Sequence, residues 1–241
     1  ICLDNTNSHV YVADTGNKRI QVVDRDGKYV NAFGSDYLTE PRCITLCNHS
    51  IFVTDEAQHN VIKFSEDGVF ILKVGSRGTG QLEFNIPYGI AFEDSLLYIC
   101  DFHNNRVQIL DTELHYINTV KNSHFSSPTT IQVSATAIHV MKQNDNNVYL
   151  FSKATNKLLQ IIHLTGQEYK MKTHFYFAID KSGNYLVSAN FENCICIFDS
   201  EAALRQIIGT GHMEHPTGIL VDNNNNIICV TLDANNQFQI Y

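Results

Sequence analysis

The sequence of 241 residues predicts an all-β protein, a β-propeller of six blades with four antiparallel strands in each. Three observations lead there. A polar loop recurs in phase along the chain. A Pro-led apolar run recurs in the same phase. Each repeat also holds four short runs with the chemistry of strands.

The loop first appears in "VADTGNKRIQVVD", residues 12–24, and returns in "VTDEAQHNVIKFS" and "ICDFHNNRVQILD". Its Asp stands at Asp14, Asp55 and Asp101, at intervals of 41 and 46 residues. The second marker is Pro followed by a β-like run, at Pro41, Pro87, Pro128 and Pro216. The intervals are 46, 41 and 88, the last being two repeats of 44, and His174-Phe175-Tyr176-Phe177 fills the place of the missing Pro. A period of about 40–45 residues signals a propeller or a solenoid.

Within the third repeat the apolar runs are "YGIAFED", "LLYICD", "RVQILD" and "YINTV". Each alternates or is apolar throughout for a few residues and then meets turn residues, which is strand and not helix periodicity. Four antiparallel strands, repeated, build propeller blades. The chain is a single domain over residues 1–241, with blades at about 1–40, 41–86, 87–127, 128–172, 173–215 and 216–241. The last blade is incomplete. "ICLD" at the start aligns with "ILVD" at 219–222, inside a first strand, and "QFQIY" at the end is a third strand. The missing fourth strand of blade six is expected from a segment upstream of Ile1, because an open blade would expose a strand edge.

Composition fits this reading. Hydrophobic residues are 44% and charged residues 17%, as in soluble globular domains. No apolar run approaches the roughly 20 residues of a membrane helix, so no membrane is expected, and the first residues show no signal peptide. The net charge of −8 argues against non-specific phosphate binding. The seven cysteines fall mostly within strand-like runs, without a C-x-x-C pair, and read as buried free thiols of a reducing, cytoplasmic compartment.

Pro-x-Gly-Ile, a strand ending in Asp, and a loop Asp-x-x-Asn-x-Arg leading into Ile/Val-Gln resemble the NHL repeat. "YVADTGNKRIQVVDRDGKYVNAFGS" and "PYGIAFEDSLLYICDFHNNRVQILD" carry the likeness most closely. It weakens in the last three blades. There Lys142 and Asn147, then Ala189 and Cys194, stand in the Asp and Arg slots, and blade six keeps Asn235 but has Gln237 for Arg. The recurring residues Asp14, Asn17, Arg19, Asp55, Asp101, Asn104 and Arg106 are assigned to turn structure. Asx side chains shape turns through their own backbone, and a ring needs identical turns more than identical ligand sites.

The resemblance also implies a function. The x of Pro-x-Gly lies near the mouth of the central channel, on the face that such propellers use for ligands. Here that ring is Arg42, Tyr88, Thr129, Phe175 and Thr217, supplemented by Lys18, Phe102, His103 and Asn105. Members of the family bind proteins or single-stranded RNA, and many are the C-terminal domain of TRIM-type ubiquitin ligases. Because acidic residues accompany the few basic ones on this face, a protein or peptide ligand is expected ahead of single-stranded RNA. The isolated domain is expected to be monomeric. Related propellers include lyases and lactonases with a metal in the channel. The eleven histidines do not fall in phase, so neither metal, cofactor nor catalytic residue is expected here.

Overall fold

The structure is a computed structural model that describes residues 1–4, 6, 8–164, 176–222, 224–231 and 238–240. Strands stand where the apolar runs do. The first antiparallel sheet orders β1 (Cys2–Leu3), β2 (His9–Asp14), β3 (Arg19–Asp24) and β4 (Tyr29–Phe33). The second orders β5 (Pro41–Cys47), β6 (Ser50–Asp55), β7 (Asn60–Ser65) and β8 (Phe70–Val74). A two-stranded parallel ribbon, β9 (Ser76–Arg77) with β10 (Glu83–Phe84), lies in the connection that follows.

The third sheet holds β11 (Pro87–Glu93), β12 (Leu96–Asp101), β13 (Arg106–Asp111) and β14 (Tyr116–Lys121). The fourth holds β15 (Pro128–Val133), β16 (Ala137–Lys142), β17 (Asn147–Ser152) and β18 (Leu158–His163). The fifth holds β19 (Phe177–Ile179), β20 (Tyr185–Ala189), β21 (Cys194–Phe198) and β22 (Leu204–Ile208). The sixth has three strands among the described residues, β23 (Pro216–Val221), β24 (Ile227–Thr231) and β25 (Phe238–Ile240).

The first strands β5, β11, β15, β19 and β23 approach one another in sequence, which places them innermost, around the channel. Proline suits the start of such an edge strand because it has no N–H to pair. In β5, β11, β15 and β23 the register shifts just after the Pro, so the bulge falls where the ladder cannot continue.

Among the described residues no single sheet has a core of its own. The apolar clusters lie between sheets. Ile20 and Val22 of blade one meet Ile44, Val53 and Phe64 of blade two. Phe52 and Val61 meet Leu97 and Ile99. Tyr98 and Val107 meet Ile138 and Phe151. Met141 and Val148 meet Phe177 and Tyr185. Leu186 and Ile195 meet Ile219 and Cys229. Val10 and Val23 meet Ile228 across the last gap, so the ring closes by packing blade six on blade one.

An ion pair reinforces that closure: Arg25 Nη2 donates to Asp222 Oδ2 at 2.5 Å. Burial alone would push the Asp222 carboxyl up. Hydrogen bonds from the Asn226 side chain and backbone, then from Arg25 and Asn224 N–H, outweigh it and hold the pKa at about 2.

The hairpin tips share a device that the sequence reading passed over. Asp24, Asp111, Asp180, Asp199 and Asp222 each accept backbone N–H groups from residues two and four positions ahead. These are Asx loops, and they recur as "DRDGK", "DTELH", "DKSGN", "DSEAA" and "DNNNN".

All seven cysteines are free. Burial pushes the Cys47 thiol up to about 11 and the Cys229 thiol up to about 12, so both stay protonated and unreactive. Cys194 and Cys196 share one face of β21 with sulfurs 4.0 Å apart. Among the described residues no helix is long and apolar enough to cross a membrane.

His139 on β16 is 8% exposed, between the Ser134 hydroxyl and the Tyr185 hydroxyl at 3.4 and 3.2 Å. Desolvation lowers its pKa from 6.5 to about 4. Below pH 6.5 the unfolded chain therefore takes up a proton that the folded protein refuses. Stability is expected to fall as pH drops from 6.5 to about 4, by about 3 kcal/mol in full. Urea midpoints measured across this window should slope downward with acid, and the slope should flatten in His139→Gln. Equal slopes in the two proteins would remove His139 as the cause.

Candidate functional site

The recurring loop joins the second and third strands of its blade. In blades one and three it is a single 3-10 turn, Thr15–Asn17 and Phe102–Asn104, followed by a left-handed residue, Lys18 or Asn105. His59 and Asn193 take the same conformation four positions after Asp55 and Ala189. Asn and His tolerate positive φ better than most residues.

The Asp of this loop does something other than shape its own turn. Asp14 and Asp101 make no cap bond to the 3-10 turns that follow them. Asp101 is fully buried. Its carboxylate accepts Asn85 N–H at 2.7 Å, Asn104 Nδ2 at 2.9 Å and Arg106 Nε at 2.7 Å. Arg106 also donates to the carbonyls of Thr79, Gly80 and Glu83, at 2.8, 2.8 and 2.7 Å. Asp55, also fully buried, accepts Thr39 N–H at 2.6 Å and Glu40 N–H at 3.1 Å, and only then Gln58 N–H within its own loop. The Asp thus ties down the segment that enters its own blade. In blade one Asn17 and Arg19 Nε hold Asp14 at 2.9 Å each.

The same loops also grip the following blade. Thr15 Oγ1 donates to Pro41 O at 2.6 Å. His59 Nδ1 accepts Ile86 N–H, Asn105 Oδ1 accepts Ser127 N–H, and Asn193 Oδ1 accepts His215 N–H, at 3.1, 2.8 and 2.8 Å. Each of these donors precedes the Pro that opens the next blade, and each has positive φ. Asn105 is therefore bonded to the frame. Lys18 stays exposed.

Blades four and five solve the turn differently. Blade four inverts the charges: Lys142 in the Asp slot pairs with Asp145 at 3.0 Å and lies 4.2 Å from the Tyr149 ring centroid, while Tyr149 donates to the same Asp145. In blade five Asn190 reaches Pro216 O at 3.4 Å. Asn235 and Gln237 of blade six lie outside the described residues.

At the channel mouth the structure brings together Arg42, Tyr88, Phe102 and His103. The Arg42 guanidinium lies 5.0 Å from the Tyr88 ring centroid, and its Nε donates to Glu56 Oε2. Tyr88 stacks on Phe102 at 5.8 Å, and Phe102 meets His103 edge-on at 4.7 Å. Phe102 is 8% exposed and serves as the floor, whereas His103 is exposed. Thr129 is buried and Thr217 half-buried. Their hydroxyls donate to Met141 O and Val230 O within their own sheets, so they offer the rim no free donor. Phe175 lies outside the described residues.

Tyr176 is a member of this cluster that the sequence reading missed. It occupies the Gly slot of Pro-x-Gly-Ile in blade five, and its phenol lies in the electrostatic neighbourhood of Tyr88 and Arg42. Burial, then the neighbouring Tyr88 and Cys43, push the Tyr176 phenol well above its ordinary pKa, so it is neutral. The signal was in the sequence, as a bulky residue where blades three and six have Gly89 and Gly218. Among the described residues no group of three or more His, Cys, Asp or Glu side chains converges as a metal site.

A family model described as a 6-bladed beta-propeller matches residues 35–126. NHL repeat-containing protein 2 of Gallus gallus is 23% identical over 77 residues, 29% of this chain and 11% of that protein. The chain thus spans about a tenth of that relative's length. Among solved structures, Kuenenia stuttgartiensis hydrazine synthase aligns with 100% of this chain and 94% of its own, with a TM-score of 0.75 and 11% identity. A streptogramin B lyase aligns with 100% of this chain and 81% of its own, with a TM-score of 0.71 and 16% identity. Virginiamycin B lyase from Staphylococcus aureus aligns with 97% and 80%, with a TM-score of 0.63 and 14% identity. Identities this low carry the fold and no activity.

Proposed function

We propose that this NHL-type β-propeller is a non-catalytic recognition platform that binds a protein or peptide at the channel mouth. The observation that carries the reading is the Arg42–Tyr88–Phe102–His103 cluster, a partly exposed aromatic surface on a rigid ring. Aromatic residues and Arg dominate protein-binding hot spots. The strongest basic groups of the loops are already committed. Arg106 is buried on Asp101 and three carbonyls, Arg19 is held by Asp14, and Glu56 offsets Arg42. That leaves little positive field for a nucleic-acid backbone. The Tyr88 ring is engaged by both Arg42 and Phe102, which reduces what it offers to an incoming base.

In this reading the domain works in the cytoplasm, where seven free thiols are at home, and recruits substrate for a ubiquitin ligase of the TRIM-NHL type. Parallel selections from a random peptide library and a random single-stranded RNA pool test it. Peptides are expected to bind with a shallow salt dependence, and Tyr88→Ala should weaken them by about 1–3 kcal/mol without unfolding the protein. RNA is expected to bind no tighter than about micromolar near physiological salt. Recovery of a short RNA motif at nanomolar affinity, with a log–log salt slope of about −0.7 per phosphate contact, would overturn the proposal.

A further inference from the structure

A cleft of about 540 Å³ lies at the outer rim of blade three, and none of the channel-mouth residues lines it. Tyr116, Thr119 and Lys121 of β14 contribute to it. Their partners on β13 are Leu110, Gln108 and Arg106, so the register sets all three on one face of the sheet. The connection at Thr79 and Gly80 stands beside the Lys121 end, because Arg106 holds both carbonyls. Thr155 and Asn156, at a hairpin tip of blade four, supply another wall. β14 pairs with β13 alone, so its outer edge keeps unpaired backbone N–H and C=O groups.

The lining has chemistry left unmet. Neither Asp nor Glu is among the residues of the cleft, although the chain carries a net charge of −8. Of its two cations, Arg106 is committed to Asp101 and three carbonyls. Lys121 is exposed, and among the described residues its ammonium has neither an ion pair nor a hydrogen-bond partner. Asn156 Oδ1 is buried without a donor, which is costly for an amide oxygen. The Tyr116 and Thr119 hydroxyls bond each other at 3.0 Å, so one of them keeps its proton for a further acceptor.

We propose that this cleft is a docking site separate from the channel mouth, for an extended peptide segment of a partner that pairs with the β14 edge and sets an Asp or Glu side chain on Lys121. Such a segment supplies each missing group. Its backbone N–H groups serve the β14 carbonyls and Asn156 Oδ1, its carbonyls accept from β14, and its carboxylate meets the unpaired ammonium. Main-chain pairing holds the segment, and Lys121 selects the acidic residue.

The test uses the intact chain and a soluble library of short random peptides capped at both ends. Binders are measured again on Lys121→Met and on Asn156→Gly, the second of which keeps the left-handed backbone that Asn156 adopts at φ 56°. A class of binders is expected to carry Asp or Glu. It should lose about tenfold or more in affinity on Lys121→Met, or when the acid is exchanged for its amide, and about threefold to tenfold on Asn156→Gly. N-methylation of one alternate set of peptide amides should abolish binding and methylation of the other set should spare it, because only every second residue turns its N–H toward the strand it pairs with. A library that yields no binder sensitive to Lys121→Met would overturn the proposal, and so would acidic binders that tolerate methylation of both sets. Self-association of Lys121→Met without any such binder would reduce Lys121 to a guard of the strand edge, which overturns the proposal too.

Discussion

Arg106→Met is expected to cost about 3–5 kcal/mol of stability, because it leaves a fully buried carboxylate without its counter-charge. The Asp101 side chain is inaccessible and that of Arg106 is 5% exposed. The guanidinium also satisfies three carbonyls of the connection between blades two and three, at Thr79, Gly80 and Glu83. Met preserves much of the length and apolar bulk, so the loss reports the charge and its hydrogen bonds. Arg19→Met is the control. It stands in the same slot of blade one, but its ion pair is 34% and 21% exposed, and about 0–1 kcal/mol is expected. Urea denaturation of both variants decides the point, and equal costs would mean that the buried network does not hold the connection. Asp101→Ala belongs with Arg106→Met. A turn-shaping carboxylate would cost about 1–2 kcal/mol to remove, but this one would strand a buried Arg.

Gly89→Ala should cost about 1–3 kcal/mol or more, through a contact that cannot relax. A Cβ there would stand 2.5 Å from Thr129 O and 3.2 Å from Thr130 Cα, both backbone atoms of the next blade's innermost strand. To accept it, blades three and four must separate, which loosens the cluster around Tyr98 and Phe151. Gly218 holds the same place in blade six, but a Cβ there meets the Ile1 side chain at 3.1 Å, which need give by only a few tenths of an ångström. Gly218→Ala should therefore be the milder change. A thermal melt in which Gly89→Ala matches the parent protein would refute the close approach of these strands.

Most of the architecture could be read from the sequence because it rests on local periodicity. The Pro-led runs became the inner strands, the Asp-ended runs the second strands, and five of the six units carry four strands each. The three-stranded sixth sheet was also visible, since "QFQIY" aligns with a third strand. The candidate site was legible in part. Arg42, Tyr88, Phe102 and His103, grouped through the family resemblance, lie side by side. Thr129 keeps no free donor, because it is buried and a carbonyl acceptor in its own sheet claims its hydroxyl.

The sequence by itself determined what depends on one repeat at a time: the strand runs, the Pro-led start of each inner strand and the loop between second and third strands. The tertiary structure decided what depends on two blades at once. Only the folded ring shows that Asp55 and Asp101 serve the segments entering their blades, and that Asn105 and His59 hold the blade that follows. The physical reason is that repeat phase places a residue within its blade, whereas a partner across the ring depends on how side chains of different length fill the space between sheets.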